Sequence, residues 1–400
     1  MKELTKDTLY NSISKFNNWL DHYGEVSPDL HDFNSSKIGN FVRKVYSKNK
    51  LLGLPLAALA VMQDALFPSL VKLYNKPHRE SIGDAQYASG FLNLYKKTND
   101  KKFLDKAEHY LDVLKQNAVT GYSGMCWGYE YAWQTTADYW PARTPMMTVT
   151  PYCFTAFKMH YEITGSKESL EVCKSVATFA LKDLNKYKAP NGTWCYSYGT
   201  LDNRYIINSN GYVAALFLDA YSLFKDEIYK KEAEDIIEFI LSYQEEDGKW
   251  YYEPVYKRDR FVDNFHTCFV LKALYNCYKV LKRDDILEAV RKGYKYYREN
   301  LINEDYTPKH FAIKKHNKLR KYEMYDFAEG IKLGCLLDET VEESLDLAKK
   351  LAGILIGKFQ LRDGHFVTRV TSFGTKHKIP YHRWPQAQLF FSLSELLLKY

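Results

Sequence analysis

The segment FVDNFHTCF, residues 261–269, places an aspartate, an asparagine and a histidine at the start of an apolar run that continues to Val280. An aromatic segment, DGKWYY at residues 247–252, comes shortly before it. An apolar run of this length is typical of a helix that is buried on most of its circumference. Asp263, Asn264 and His266 are therefore predicted to lie in the first turn of a buried helix, where their polar groups could carry chemistry.

The same layout recurs along most of the chain. An apolar helix begins at polar or aromatic residues, and a charged, amphipathic helix follows it after a turn. Apolar helices belong inside a fold and amphipathic helices belong outside. The equivalent positions at the starts of the apolar helices are 56 to 66 residues apart, and they are Gln86, Tyr152, Asn210, His266, Tyr325 and Gln386.

Six inner helices, each with an outer partner, predict an all-α fold, an (α/α)6 toroid of helical hairpins. An open superhelix is the alternative, because a sequence does not show whether the first and last repeats meet. The chain contains no Ser-, Gly- or Pro-rich linker. We therefore predict one toroid domain over residues 51–400, with N-terminal helices in residues 1–50 packed on it.

Two features of the N-terminal region carry expectations of their own. Asp7 or Thr8 is expected to cap a first helix over residues 7–23. The most apolar segment, residues 51–62, is too short to span a bilayer and is expected to be a core helix. Pro55 and Pro68 are expected to limit any helix in this region.

A second repeat lies in the loops between the helix pairs. Asn191-Gly192, Asp247-Gly248 and Asp363-Gly364 are each followed, two positions later, by an aromatic residue, and residues 124–127 are a looser copy. Asn-Gly and Asp-Gly favour tight turns with positive φ. We expect short β-hairpins that gather where the inner helices begin, a face of the toroid that we call the mouth.

The composition excludes several classes of function. The net charge of +7 is mild and no nucleic-acid-binding motif is present, so nucleic acid is not an expected partner. P-loop, Rossmann and G-x-S-x-G patterns are absent, and the seven cysteines have no zinc spacing, so neither a cofactor nor a metal is expected. Unpatterned cysteines and the lack of a signal-peptide region favour a cytoplasmic protein, at most peripheral at the inner membrane face and without stable membrane insertion.

Four motifs stand out in the predicted toroid: Cys126-Trp127-Gly128-Tyr129 with Trp133-Gln134, Thr150-Pro151-Tyr152, DGKWYY at 247–252, and Asp263-Asn264-Phe265-His266-Thr267. Together they resemble a family of helical-toroid proteins from cell-surface polysaccharide biosynthesis clusters. That family belongs to the six-hairpin glycosidase-like superfamily, which also contains the toroid domain of the glucuronyl C5-epimerases. The resemblance spans roughly residues 50–400 and implies the fold and a glycan partner. It does not choose a reaction, since the superfamily includes hydrolases, lyases and epimerases.

The resemblance favours an acidic oligo- or polysaccharide as substrate and proton abstraction at C5 of a uronate as the reaction. That reaction needs a base, a group that neutralises the carboxylate, and a second group that delivers a proton. Similar toroid lyases and epimerases use Tyr, His and Asn or Arg for these roles. We predict His266 as the base with Asp263 beside it, and Tyr198 or Tyr325 as the acid. The carboxylate is predicted to bind Arg383 together with one of three amides, Asn208, Asn210 or Asn264.

Further substrate contacts are expected at the mouth. The N-termini of helices favour anions there, and Arg143, Arg204 and Arg383 lie in loops predicted to reach it. Amphipathic aromatic rings suit the flat faces of sugars. The predicted sugar-binding residues are Trp127, Trp133, Tyr152, Tyr196, Trp250, Tyr252 and Trp384, with His382 beside them.

Two other hypotheses stay open. A glycoside hydrolase would use a pair of carboxylates, and the candidates are Asp84, Asp138, Asp263 and Asp326, although an aspartate at a helix start is commonly an N-cap. The third hypothesis is a non-catalytic glycan-binding or scaffold protein in a glycosyltransferase complex. It is kept because each aromatic residue named above could also serve packing alone.

Overall fold

Helix pairs make up most of the chain, as the repeat predicts. The computed structural model describes residues 3–74, 76–134, 139–256, 260–314 and 319–400. Its α-helices are α1 (Lys6–Tyr23), α2 (Asp32–Ser35), α3 (Lys37–Lys48), α4 (Lys50–Leu66), α5 (Ser81–Thr98), α6 (Lys101–Gln116), α7 (Thr150–Thr164), α8 (Lys167–Asp183), α9 (Ile207–Phe224), α10 (Glu227–Ser242), α11 (Asn264–Leu281), α12 (Asp284–Asn300), α13 (Met324–Leu336), α14 (Ser344–Phe359) and α15 (Ala387–Leu397).

The strands are short and all pair antiparallel. They are β1 (Trp133–Gln134), β2 (Tyr139–Trp140), β3 (Lys186–Lys188), β4 (Trp194–Tyr196), β5 (Val262–Asp263), β6 (Phe311–Ile313), β7 (Arg320–Glu323), β8 (Arg369–Thr371) and β9 (Lys376–His377). The pairs are β1–β2, β3–β4, β5–β6 and the three-stranded β7–β8–β9. A 3₁₀ turn, Pro68–Leu73, follows α4, and a π-helical turn, His382–Gln386, leads into α15.

The inner helices form a closed ring. Helices α5, α7, α9, α11, α13 and α15 each pack against the next, and α15 packs against α5. The prediction of an (α/α)6 toroid is confirmed, and the open superhelix is excluded. The inner helix α5 is buried at every residue from Ser81 to Leu94, whereas the outer helix α12 buries one face. This is the difference that the two hydrophobic patterns predicted.

Helix α1 supplies the outer layer beside α15. It packs against α15, and Ser12 donates a hydrogen bond to Gln360, just after α14, at 2.8 Å. On its other side Asp21 forms an ion pair with Lys106 of α6. Phe16 is fully buried in the common core. The cap of α1 is Thr5, whose hydroxyl accepts the N–H of Thr8 at 3.2 Å; the helix begins earlier than predicted, so the expectation of Asp7 or Thr8 was wrong.

The apolar segment at residues 51–62 is not a core helix, contrary to expectation. It lies in α4, which forms an antiparallel hairpin with α3, and Leu51 is 87% exposed. The two helices touch closely at Gly53, where a Cβ atom would lie 2.2 Å from the Cα of Tyr46. The helix continues past Pro55 to Leu66. No helix in the described residues is both long and apolar enough to cross a membrane.

One of the predicted loop hairpins forms paired strands in the described chain. Strands β3 and β4 pair from Lys186↔Tyr196 to Lys188↔Trp194, and the turn between them contains Gly192 at a φ of 87°. The loops at Gly248 and Gly364 close as tight turns against outer helices instead. A Cβ at Gly248 would lie 2.4 Å from the carbonyl oxygen of Lys292, so this close approach requires glycine.

Candidate functional site

Several polar residues at the starts of inner helices hold the preceding loop in place. The amide of Asn210 accepts the N–H of Tyr196 at 2.7 Å and donates to its carbonyl at 3.1 Å. Gln386 binds the backbone of Phe366 in the same way, at 3.0 and 2.7 Å. The Thr150 hydroxyl binds the N–H and carbonyl of Trp127, both at 3.0 Å. These repeated contacts account for the polar residues that begin α9, α15 and α7, so Asn210 is engaged in the fold.

The aromatic residues in and next to the loop motif are also buried in the packing of the toroid. Trp127 and Trp250 are buried, and their indole N–H groups donate to the carbonyls of Leu114 and Ile240 at 2.8 and 2.9 Å. Tyr196 is buried and its hydroxyl donates to Glu232 at 2.8 Å. All three side chains are therefore packed within the fold, and Trp250 also lines the small cavity beside His266. The side chain of the fourth, Trp133, lies outside the described part of the structure.

Two further residues predicted to contact substrate, Asn264 and His382, make hydrogen bonds within the fold instead. The buried Asn264 amide donates to the carbonyl of Leu301 at 2.9 Å. His382 bonds to the Tyr87 hydroxyl at 2.6 Å and to the carbonyl of Gly24 at 3.0 Å, and burial lowers its pKa to about 4. These contacts fix the first turns of α11 and of the π-helical segment.

The guanidinium of Arg383 forms a two-pronged ion pair with Asp29. Nε and Nη2 lie 2.6 and 2.7 Å from the two carboxylate oxygens, and both side chains are buried. A fork of this geometry is the one predicted for a substrate carboxylate. Asp29 already occupies it, so the structure brings Arg383 to the mouth with its charge neutralised.

His266 and Asp263 form a carboxylate–imidazole pair where β5 runs into α11. Both oxygens of Asp263 lie close to His266 Nδ1, at 2.8 and 2.9 Å. Asp263 is 3% exposed and His266 22% exposed. No described residue hydrogen-bonds the other ring nitrogen, Nε2. The pair therefore holds the imidazole in one orientation and leaves Nε2 for a further partner.

Aromatic rings surround this imidazole. Its centroid lies 4.2 Å from that of Phe265, 4.6 Å from that of Tyr252 and 5.7 Å from that of Phe269. Phe265 and Tyr252 are partly exposed. The surroundings reduce the water around His266 and offer ring faces to a sugar.

A wall of aromatic rings that includes Tyr325 and Trp384 adjoins Phe265 and continues the site. The ring of Trp384 stacks on that of Tyr325 with centroids 3.8 Å apart and an angle of 9°, and Phe265 packs edge-on against both. The hydroxyls of Tyr152 and Tyr212 are 2.8 Å apart. Burial raises the pKa of Tyr325, Tyr152 and Tyr212 well above the usual value for tyrosine, so all three keep their protons at neutral pH.

Tyr198 and Arg204 lie next to Tyr252. The hydroxyl of Tyr198 is 3.2 Å from that of Thr148, and burial raises its pKa well above the usual value. The Arg204 guanidinium lies 6.0 Å from the centroid of Tyr252, the ring that touches His266. The structure therefore brings together His266, Asp263, Tyr198, Tyr252 and Arg204.

Asn208 is the predicted amide that differs from the rest. It is 1% exposed, and neither its oxygen nor its nitrogen has a hydrogen-bond partner within the described residues. It lines a small cavity with Tyr252, Asp263 and His266. A buried, unpartnered amide is costly unless something binds it, so Asn208 has hydrogen-bonding capacity left beside the imidazole.

Sequence reasoning missed a second histidine–aspartate pair. His310 Nδ1 lies 2.8 Å from Asp326 Oδ2, with both side chains buried. Burial raises the pKa of Asp326 to about 7 although His310 opposes it. The pair is brought next to the first one because β6, which follows His310, pairs with β5, with Asp263 opposite Phe311. No spacing in the sequence signals this contact, since it depends on strands far apart in the chain.

Three of the four carboxylates proposed for hydrolysis bind a basic side chain. Asp84 binds Arg79 through both oxygens, at 2.9 and 3.2 Å, while Asp263 and Asp326 hold His266 and His310. Asp138 lies outside the described residues. The described part of the chain also contains no group of three or more His, Cys, Asp or Glu side chains that could bind a metal ion.

Solved structures share this fold. No protein-family model and no curated protein matches the chain by sequence. A polysaccharide lyase aligns over 86% of this chain and 97% of its own, with a TM-score of 0.59 and 12% identity. The cellobiose 2-epimerase from Bacillus thermoamylovorans aligns over 85% and 97%, with a TM-score of 0.62 and 13% identity. The GH76 α-mannanase from Bacteroides thetaiotaomicron aligns over 80% and 86%, with a TM-score of 0.60 and 11% identity. These likenesses establish that the chain has the fold of the (α/α)6-toroid enzymes.

Proposed function

We propose that this protein is a carbohydrate-active enzyme that removes the C5 proton of a uronate within an acidic glycan, as an epimerase or a lyase. The observation that carries the proposal is the imidazole of His266, which Asp263 holds through Nδ1 while Nε2 has no described partner. A neutral imidazole oriented in this way can accept a proton at Nε2. The carboxylate of Asp263 then stabilises the imidazolium that forms.

After the C5 proton has been removed, a second group must deliver a proton to the substrate. Tyr325 and Tyr198 keep their protons at neutral pH because burial raises the pKa of each. Phe265 contacts both His266 and Tyr325, and Tyr252 contacts His266 and packs against the cluster that contains Tyr198. We assign the second proton to one of these phenols, which would donate to C5 from the face opposite His266, inverting the carbon, or to the leaving glycosidic oxygen, cleaving the chain.

Removal of the C5 proton places additional negative charge on the sugar carboxylate. A cation and hydrogen-bond donors near that group lower the barrier. Arg204 lies beside Tyr252, and Asn208 has an unpartnered amide in the cavity next to His266. We assign the sugar carboxylate to these two side chains because they lie beside His266 and beside the Tyr252 ring that contacts it.

The names of similar structures support a saccharide substrate without choosing the reaction. They include a polysaccharide lyase, two cellobiose 2-epimerases and a D-mannose isomerase, besides GH105 and GH76 proteins. Hydrolysis is the second candidate. We rank it lower because Asp84, Asp263 and Asp326 each bind an arginine or histidine. The seven cysteines are free and buried, which agrees with a cytoplasmic role in polysaccharide biosynthesis.

Solvent exchange tests the proposal. Uronate oligosaccharides are incubated with the enzyme in D2O, and a neutral oligosaccharide of equal length serves as the control. Deuterium at C5 of intact chains would indicate an epimerase, and unsaturated uronate ends would indicate a lyase. New reducing ends without deuterium or unsaturation would show hydrolysis and contradict the proposal. Binding without any turnover would contradict it as well and favour a scaffold role in a glycosyltransferase complex.

A further inference from the structure

An apolar hairpin projects from the N-terminal region. Helices α3 and α4, residues 37–66, pack against each other, and we call them the α3–α4 hairpin. Its large apolar side chains face solvent instead of the toroid core: Leu51 is 87% exposed and Leu52 66%. The other exposed members are Ile38, Phe41, Leu54, Leu59, Val61, Met62 and Leu66, and Phe67, Leu70 and Leu73 continue the surface.

The exposure of this surface does not result from poor packing of the hairpin. The hairpin is tightly built, with Gly53 against the backbone of Tyr46. Its base is anchored to the β8–β9 hairpin, where Asp64 pairs with Arg369 at 2.6 Å and His377 bonds to the carbonyl of Ala65 at 3.0 Å. A contiguous exposed apolar surface on a fixed scaffold marks a site of interaction.

The charges around the apolar surface favour one kind of partner. Five exposed lysines lie on or next to the hairpin, and none of the five pairs with a carboxylate within the described residues: Lys37, Lys44 and Lys48 in α3, Lys50 at the start of α4, and Lys72 in the 3₁₀ turn that follows it. From Leu51 to Gln63 the chain has no charged residue. The single acidic residue of the hairpin, Asp64, is neutralised by Arg369.

We propose that the α3–α4 hairpin docks onto an anionic lipid bilayer, with its leucines in the interface and its lysines against the headgroups. An apolar face combined with a lysine rim is the arrangement that binds a membrane surface without spanning it. A second copy of the chain would fit less well, because a two-fold contact would place one lysine-rimmed face against another face of the same charge. The inference is independent of the proposed function.

The hairpin adjoins the segment that leads into the mouth of the toroid. Val71, in the turn after α4, packs against Ile379 and Tyr381. Tyr381 directly precedes the π-helical turn that contributes Trp384 to the mouth. The hairpin and the candidate site are thus close to each other through the contact of Val71 with Tyr381.

Vesicle sedimentation of the full chain tests the proposal. The vesicles are phosphatidylcholine alone and phosphatidylcholine mixed with phosphatidylglycerol. The wild type is expected to sediment with the anionic vesicles. The triple variant Leu51→Gln, Leu52→Gln, Leu59→Gln is expected to lose binding at least tenfold without a change in melting temperature, since these side chains are already exposed. Lys48→Gln with Lys50→Gln should remove the preference for anionic lipid.

Matched controls use other exposed residues. Ile228→Gln on α10, and Lys167→Gln with Lys174→Gln on α8, should bind vesicles like the wild type. The proposal is overturned if the wild type does not sediment with anionic vesicles, or if the triple variant binds as well as the wild type. It is also overturned if light scattering shows a wild-type dimer that the triple variant abolishes, because the surface would then belong to a second copy.

Discussion

Asp263 binds His266 twice. Its carboxylate accepts the backbone N–H of His266 at 3.1 Å as the N-cap of α11, and it lies 2.8 and 2.9 Å from Nδ1 of the same residue. One side chain therefore begins the helix and orients the imidazole. An aspartate at a helix start is commonly a cap, and here the cap and the proposed catalytic role coincide in one residue.

Asp263→Asn should separate these two roles. Asparagine is as good an N-cap as aspartate, so the free energy of unfolding should change by less than about 0.5 kcal/mol. It cannot stabilise an imidazolium as a carboxylate does, so turnover should fall by roughly 10²–10⁴-fold. Thermal melts and exchange rates measure both. Asp226→Asn, at the N-cap of α10, is the control and should leave turnover unchanged; equal losses in the two variants would contradict the account.

Tyr325→Phe should remove a proton donor and retain the packing of the aromatic rings around it. The phenylalanine ring can retain the stack on Trp384, which has a centroid distance of 3.8 Å. We expect kcat to fall at least about tenfold, with a smaller change in KM. Tyr110→Phe, a buried tyrosine of the outer helix α6, is the control. If the Tyr325→Phe enzyme keeps the wild-type kcat, Tyr325 is not the acid, and that role falls to Tyr198.

Asn208 and Asn210 lie two residues apart on α9 and should behave in opposite ways. Asn210→Ala removes contacts to the backbone of Tyr196 and Ile206, so it should cost about 2–4 kcal/mol of stability. Asn208→Ala removes an amide without partners, so stability should be unchanged or higher, while substrate affinity should fall. Denaturant titrations and KM values measure the difference. A stable Asn210→Ala or an unchanged KM in Asn208→Ala would argue against these assignments.

Asp202 should make stability depend on pH. Burial raises its pKa to about 6, although it accepts the N–H groups of Gly199 and Arg204. A carboxyl whose pKa is higher in the folded state contributes stability below its unfolded pKa and loses it as pH rises through about 6. The loss is about 3 kcal/mol between roughly pH 4 and 7. Asp202→Asn cannot titrate, so its destabilisation relative to the wild type should be larger at pH 4 than at pH 7; a constant difference would contradict this.

The hydrophobic patterns in the sequence were sufficient to predict the toroid. Helix periodicity and the recurrence of Gln86, Tyr152, Asn210, His266, Tyr325 and Gln386 predicted the inner layer, because burial on all sides leaves an apolar helix without a polar face. The pattern could not show that residues 51–62, apolar in the same way, lie exposed in α4. Apolar character predicts that a surface will be covered, and it does not say whether the rest of the chain or another partner covers it.

Less of the candidate site could be predicted from the sequence. A polar residue at the start of an inner helix can bind a loop, as Asn210 does, or face the mouth, as His266 does, and both occupy equivalent positions in the repeat. Trp127 and Trp250 were expected to stack on sugars, yet their indoles bind backbone carbonyls of outer helices. His310 entered the site through the pairing of β5 with β6, a tertiary contact that local pattern does not encode.

The central claim, that His266 is the base, is tested most directly by deuterium exchange into a uronate oligosaccharide with the variant His266→Gln. Glutamine cannot accept the C5 proton, so exchange should fall by roughly 10²–10⁴-fold, while circular dichroism and melting temperature stay near those of the wild type. His22→Gln, an exposed histidine of α1, should exchange at the wild-type rate. Exchange retained in a folded His266→Gln enzyme would contradict the account.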